Sequence, residues 1–294
     1  MKRSLWLAVG AAAMFGTTYG AAKIATEELA PMIVAAFRLG IGSLFLGTLV
    51  ATTRRGRSAG GARRRAPWPA LLAMAVFGLV GYQTFFYASL RYTEVFNTAL
   101  INALSPVITG LLAATFLRER LPRRSWAGIA LVVLGVVTLL SRGNPARLLS
   151  LGLNRGDALM LGAVTSFAIH SLVVRRVPGA SSLVSSFHAT ILGTVLLAAM
   201  ARTFEGWPSL QVSPRIWIAL VWMGIAASGL GFVLFNRSVT ENGPTRTSAF
   251  VYGLVPLFVA LLGWILFREV PGPSAIVATV LVLAGLAWTA RDGG

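Results

Sequence analysis

The stretch Phe235–Pro271, FNRSVTENGPTRTSAFVYGLVPLFVALLGWILFREVP, decides how the rest of the chain is read. Moved back by 150 residues, it lies on residues 85–121 without a gap. Pro256 then falls on Pro106, Arg268-Glu269 on Arg118-Glu119, Phe235 on Phe85 and Leu254 on Leu104. Outside the stretch, Gly285 falls on Gly135, Gly231 on Gly81 and Phe187 on Phe37. Leu and Val coincide in any two apolar runs, but a proline within such a run and a charged pair at its end are rarer. The chain reads as two copies of one unit, residues 1–145 and 151–294.

What that unit is follows from composition. Of 294 residues, 56% are hydrophobic and only 12% charged, with a mean hydropathy of +0.75. A soluble domain of this length cannot hide so much apolar surface, whereas a bilayer removes the need. A bilayer core takes roughly 20 apolar residues per crossing, and the chain offers about ten such runs. The class is an all-α polytopic membrane protein. Helices are predicted near 4–22, 30–51, 68–90, 95–117, 124–141, 156–175, 182–203, 214–236, 244–267 and 273–290. Prolines 31, 67, 69, 214, 244 and 273 stand near helix starts, where a missing N–H costs little. The start, with Lys2-Arg3 before an apolar run and small residues, has the look of a signal peptide. A retained first helix is expected instead, because the repeat gives it a partner at Asp157 to Arg175.

The net charge of +17 belongs to loops rather than to a groove, which points to a membrane and not to nucleic acid. With the N-terminus cytoplasmic, the inner segments hold Lys2 and Arg3, the loop 54–67 (RRGRSAGGARRRAP), and Arg118, Arg120, Arg123 and Arg124. The outer segments are poorer in cations, so both termini are expected inside. Five helices per copy is an odd number, so the second copy enters the membrane upside down. Two inverted halves that rock about a central site are a common transporter plan.

The whole chain resembles the drug/metabolite transporter superfamily, in particular its ten-helix EamA-type members. The residues that carry the resemblance are Pro106, Glu119, Gly128 and Leu134-Gly135-Val136, then Pro256, Arg268-Glu269 and Ala284-Gly285. Ala278 departs from the pattern where the first copy has Gly128, and looser helix packing is expected there. The resemblance implies export of metabolites or amino acids, with helices 1–4 and 6–9 lining the path and helices 5 and 10 peripheral.

Catalysis is not expected, and neither is a cofactor or metal. The two histidines, His170 and His188, lie on different helices, the carboxylates fall at helix ends or in loops, and no cysteine is present. General acid–base or metal chemistry needs such groups to converge. An intramembrane carboxylate that would relay protons is also missing.

Arg38 is the one arginine well inside a predicted helix. It either holds a substrate carboxylate, makes a structural pair with Glu94 as candidate partner, or snorkels toward the headgroups. Tyr82 and Phe86 share a face of helix 3, and their repeat mates are Phe232 and Asn236. Asn102 on helix 4 and Tyr252 on helix 9 join them, with Phe15 and Tyr19 on helix 1 and Ser166 and His170 on helix 6. An aromatic cavity with a few amides and hydroxyls suits a small zwitterion with an apolar side chain, although ordinary packing uses the same residues. Pro106 and Pro256 are candidate hinges. Glu119 and Glu269 read as helix-end fixtures that pair with arginine or cap the next helix.

The expected partners are therefore an amino acid-like small molecule and the lipid bilayer of a bacterial inner membrane. The oligomeric state stays open, a monomer included. Efflux of hydrophobic drugs or other metabolites is the alternative on the same scaffold, and a receptor or scaffold that moves nothing is the alternative from another class.

Overall fold

The structure is a computed structural model. It describes residues 5–55, 66–89, 92, 101–119, 121–141, 144, 146, 154–177, 179–206, 211–267 and 273–291. The helices are α1 (Leu5–Ala25), α2 (Pro31–Arg55), α3 (Trp68–Ser89), α4 (Ser105–Phe116), α5 (Arg123–Leu140), α6 (Arg155–Arg175), α7 (Ser182–Phe204), α8 (Pro214–Asn242), α9 (Pro244–Phe267) and α10 (Pro273–Arg291). Among the described residues there is no strand. Seven of these helices are long and apolar enough to cross a membrane, and α4 and α10 are shorter apolar helices. Leu44, Val195, Ile218 and Ile276 stand exposed on the outer faces. An apolar exterior of that kind is satisfied by lipid, not by water.

Three predicted boundaries change. Residues 237–242, RSVTEN, read as a loop, yet α8 runs through them to Asn242. Its polar groups are satisfied on the helix itself: Arg237 pairs with Glu241 at 2.8 Å, and Asn242 Nδ2 donates to Ser238 Oγ at 3.1 Å. Gly243, at φ +85, then turns the chain straight into α9, a backbone conformation that glycine takes without steric cost. The second change is in helix 4, which is broken at Leu104 between a helical stretch at 101–103 and the restart at Ser105. Pro106 thus stands in the first turn of α4, whereas its mate Pro256 lies inside an unbroken α9. The two prolines are not equivalent hinges. Third, α2 continues to Arg55, so the helix takes in the start of the predicted loop 54–67. Most of that loop lies outside the described residues, as do Glu94, Asn97 and Arg268-Glu269.

The inversion is visible in the crossing of α5 and α10. A Cβ added at Gly285 would lie 2.5 Å from the Gly128 carbonyl oxygen, and one at Gly135 would lie 2.9 Å from the Ala278 carbonyl oxygen. A shift of 150 residues exchanges these two contacts, as a pseudo-two-fold axis between antiparallel helices requires. The other packing pairs follow the same rule: α1 packs on α8 and α9 while α6 packs on α3 and α4, and α2 meets α7, its own mate. The α5–α10 pair stands to one side and reaches the bundle chiefly through α9.

The looser packing expected at Ala278 does not occur. Ala278 is fully buried, and its carbonyl oxygen lies 2.9 Å from where a Cβ at Gly135 would stand. Ala278→Gly is therefore expected to lower the melting temperature of the purified protein rather than to raise it. The change deletes a buried methyl and adds a helix-interior glycine, at a cost of about 1–2 kcal/mol.

Candidate functional site

Both central helices of the repeats carry a π-helical stretch, Met74–Gly81 in α3 and Gly224–Gly231 in α8, at matching places 150 residues apart. A π turn widens the helix and loosens its hydrogen-bond ladder, and such turns concentrate at functional sites. Here α6 exploits one of them. Ser166 Oγ donates to the Phe77 carbonyl at 2.8 Å, and His170 Nδ1 lies 3.1 Å from the Met74 carbonyl oxygen. Ser166 and His170 are four residues apart and share a face. Gly78 and Gly81 let that face approach, since a Cβ at either would lie 2.2 Å from His170 Nδ1 or 2.4 Å from Ser166 Oγ.

The polar chain continues beyond α6. His170 Nε2 meets Asn236 Oδ1 at 2.9 Å, and Asn236 Nδ2 donates to Ser186 Oγ at 2.9 Å. Met74, His170, Asn236 and Ser186 thus tie α3, α6, α8 and α7 together across both repeats. The side chains of His170, Asn236 and Ser186 are all buried.

Against this polar floor stands a cluster of rings centred on Phe167. Its ring centroid lies 5.0 Å from Phe235, 5.3 Å from His170 and 5.4 Å from Tyr82. Phe232 and Tyr252 are each 6.1 Å away. Phe15 packs edge-on to Phe232 at 5.9 Å, and Tyr82 stacks on Phe86 at 6.0 Å. Phe167, Phe232 and Phe235 are buried, while Phe15, Tyr82, Phe86 and Tyr252 are half-buried and form the rim. Rings from α1, α3, α6, α8 and α9 therefore converge where the repeats cross.

The structure brings together Phe15, Tyr82, Phe86, His170, Phe232 and Tyr252, with Ser166 and Asn236 engaged in the polar floor. Asn102 stays at the break in helix 4, where its side chain accepts from Ser105 Oγ at 3.3 Å. The Tyr19 side chain lies outside the described residues. Arg38 is on α2, near Tyr87, whose ring is 5.2 Å from Phe86. Its buried Nε has no hydrogen-bond partner among the described residues. Phe167, Tyr87 and Ser186 were missed by the sequence reading. Phe167 stands beside Ser166 in an apolar helix, and nothing in its local pattern separates a hub from packing.

The two ends of the bundle are tied differently. At one, Glu27 pairs with Arg215 at 2.5 Å. Glu28 accepts from the Ser213 backbone N–H and hydroxyl at 2.9 and 2.6 Å, and these bonds hold its carboxyl below the usual range. Glu205 accepts from the N–H groups of Met32 and Ile33 at 3.2 and 3.1 Å, capping α2. At the other, arginine-rich end, Arg176 donates to the Phe116 carbonyl at 2.7 Å. Glu119 there accepts from Thr245 Oγ1 at 3.2 Å, so it serves the first turn of α9 in the other repeat, not that of the helix that follows it.

An all-helical membrane bundle of two inverted repeats, with rings and buried polar groups gathered at their crossing, is an architecture common among membrane transporters. Its lineage is equally definite. The chain belongs to the EamA-like transporter family, which matches residues 2–141 and 154–291. It is 24% identical over 273 residues to the uncharacterized transporter YyaM of Bacillus subtilis, covering 92% of this chain and 88% of that one. It is 25% identical over 296 residues to the aromatic amino acid exporter YddG of Ancylobacter novellus, covering 98% and 97%. A solved crystal structure superposes with a TM-score of 0.80 at 22% identity, over 99% of both chains, which supports the fold.

Proposed function

We propose that this transporter exports small zwitterionic metabolites, first among them amino acids with apolar or aromatic side chains, across a bacterial inner membrane by alternating access. The observation that carries the reading is the convergence of Tyr82, Phe86, Phe167, Phe232 and Tyr252 at the crossing of the repeats. Half-buried rings offer an apolar side chain stacking and edge contacts. The His170–Asn236 floor offers hydrogen-bonding groups. Arg38, with its unpartnered buried Nε, supplies the cation for a carboxylate. The name of the YddG relative agrees with this substrate class. In this reading the arginine-rich end and both termini face the cytoplasm, and the ties of Glu27, Glu28 and Glu205 hold the outer end shut.

Proteoliposomes loaded with phenylalanine test it through exchange against labelled phenylalanine. Tyr82→Ala and Tyr252→Ala are each expected to cut the exchange rate about tenfold or more, since aromatic contacts of this kind are worth 0.5–1.5 kcal/mol beyond their buried area. Melting temperatures should stay near the parent's, because both rings are rim residues. Normal exchange by both variants would sink the proposal.

A further inference from the structure

We propose that the arginine-rich end holds a separate recognition site for small zwitterions, in which Arg246 takes the anionic group and Glu119 the ammonium. A cavity of about 230 Å³ opens there, lined by Leu117, Glu119, Arg175, Asn242, Gly243 and Arg246 among others. It is smaller than the pockets that hold drug-sized ligands.

The charges in this cavity are not equally free. Arg175 is committed, its Nη1 donating to the Thr240 carbonyl. Arg246, half-buried in the first turn of α9, makes no hydrogen bond or salt bridge among the described residues. Glu119 uses Oε2 for Thr245, and its Oε1 lies over Gly243. A Cβ at Gly243 would come within 3.0 Å of that oxygen. A guanidinium that makes no hydrogen bond among the described residues and acts on Glu119 through its charge alone, and a carboxylate with one oxygen unused, therefore share a small cavity, the complement of a molecule that carries both charges.

Its place on the helices gives it a purpose. Arg175 follows His170 by five residues on α6, about 7.5 Å along the axis, and Arg246 precedes Tyr252 by six on α9, about 9 Å. The cavity is thus a vestibule one to two turns from the ring cluster, reached on the same two helices. Its role on a transport path rests on the function proposed above; zwitterion binding at it does not.

Glu119 is faced by Arg175 from α6, by Asn242 from α8 and by Thr245 and Arg246 from α9. Burial nevertheless raises its carboxyl above the usual range, outweighing the Thr245 hydroxyl and the two guanidinium groups. A desolvated carboxylate gains from an incoming ammonium. Below its raised pKa it is neutral and loses that partner, so zwitterion affinity falls on acidification sooner than an ordinary carboxylate would dictate.

The same pair of charges occurs in a free α-amino acid and in the headgroup of phosphatidylethanolamine. The test uses the full chain in nanodiscs of phosphatidylcholine and phosphatidylglycerol. Calorimetry at neutral pH compares phenylalanine, phenethylamine and 3-phenylpropanoate. The parent should prefer phenylalanine to both single-charge analogues. Arg246→Gln should weaken phenylalanine about tenfold and leave phenethylamine unchanged, and Glu119→Gln should erase the preference over 3-phenylpropanoate. Both variants should melt with the parent. Added phosphatidylethanolamine that competes in the parent but not in Arg246→Gln identifies the headgroup as occupant; no competition identifies the free amino acid. A parent that binds no zwitterion, or variants that keep the parent's discrimination, overturn the site. Selective binding without amino acid transport keeps the site and removes the transport reading, whereas transport with KM unchanged in both variants does the reverse.

Discussion

Gly78→Leu is expected to yield no stably folded protein. Any side chain at this position starts with a Cβ 2.2 Å from His170 Nδ1 and 2.5 Å from its Cγ, far inside van der Waals contact. A flexible neighbour can swing aside, but this ring cannot. Its Nδ1 faces the Met74 carbonyl oxygen, its Nε2 faces Asn236, and it is 1% exposed. Relief requires α3 and α6 to separate, which breaks the Ser166 bond to Phe77 as well and opens the contact between the repeats. Overpacking of a well-packed core costs about 1–3 kcal/mol where the backbone can shift. Here the lost buried hydrogen bonds add about 1–3 kcal/mol each, against a total stability of about 5–15 kcal/mol. Gly20→Leu is the control, since a Cβ there meets nothing within 4 Å. Size-exclusion profiles of fluorescent fusions compare the two. Gly20→Leu should match the parent, while Gly78→Leu should elute as aggregate or be absent, and a monodisperse Gly78→Leu with the parent's melting temperature defeats the argument.

That contact also marks the limit of what the residues disclose on their own. The repeat was readable because proline in an apolar run and a charged pair at a helix end are costly enough to be rare, so their recurrence means something. Helix number followed from hydropathy, and inversion from the odd count with the arginine bias. Parts of the candidate rim and floor were readable as shared faces, since Tyr82 and Phe86, and Ser166 and His170, stand four residues apart. The π stretches were not. MAVFGLVG and GIAASGLG carry no local signal against an ordinary α-helix, and what accommodates the first is a serine and a histidine some ninety residues away. RSVTEN looked like a loop because its side chains are polar, yet those side chains bond along the helix and extend α8. Glu119 looked like a local fixture, and its partner Thr245 lies in the other repeat. At the π stretches and at Glu119 a long-range partner, invisible to periodicity, decides the outcome; in RSVTEN it is the i,i+4 pairing of polar side chains.

The second large effect concerns the polar floor, where structure and transport can be separated. His170→Leu removes the partner of the Met74 carbonyl and of Asn236 at once. Two buried polar groups are orphaned, and a loss of about 3 kcal/mol is expected. Asn236→Leu orphans His170 Nε2 and Ser186 Oγ and should cost about as much. In the double variant neither the histidine nor the amide remains to be left unpaired, because both partners of the 2.9 Å contact are gone. Only the Met74 carbonyl and Ser186 Oγ are then left unpaired, as many groups as in either single variant, so the double variant should lose about 3 kcal/mol, no more than one single change and well short of the two losses added together. Denaturant or thermal unfolding in one detergent measures all four corners of the cycle, and strictly additive losses would show that the two residues do not act as a unit. Transport then asks a different question of the same proteins. If the floor only braces α3, α6 and α8, the double variant should exchange no more slowly than either single variant, in step with its stability. If it also hydrogen-bonds the zwitterion beneath the rings, as the proposed function requires, the double variant should match the singles in stability and still exchange phenylalanine about tenfold more slowly than either, since each lost bond to a charged ligand group is worth about 1.5–3 kcal/mol. Exchange in the double variant that tracks its stability would confine His170 and Asn236 to the scaffold and leave the rings alone to choose the substrate.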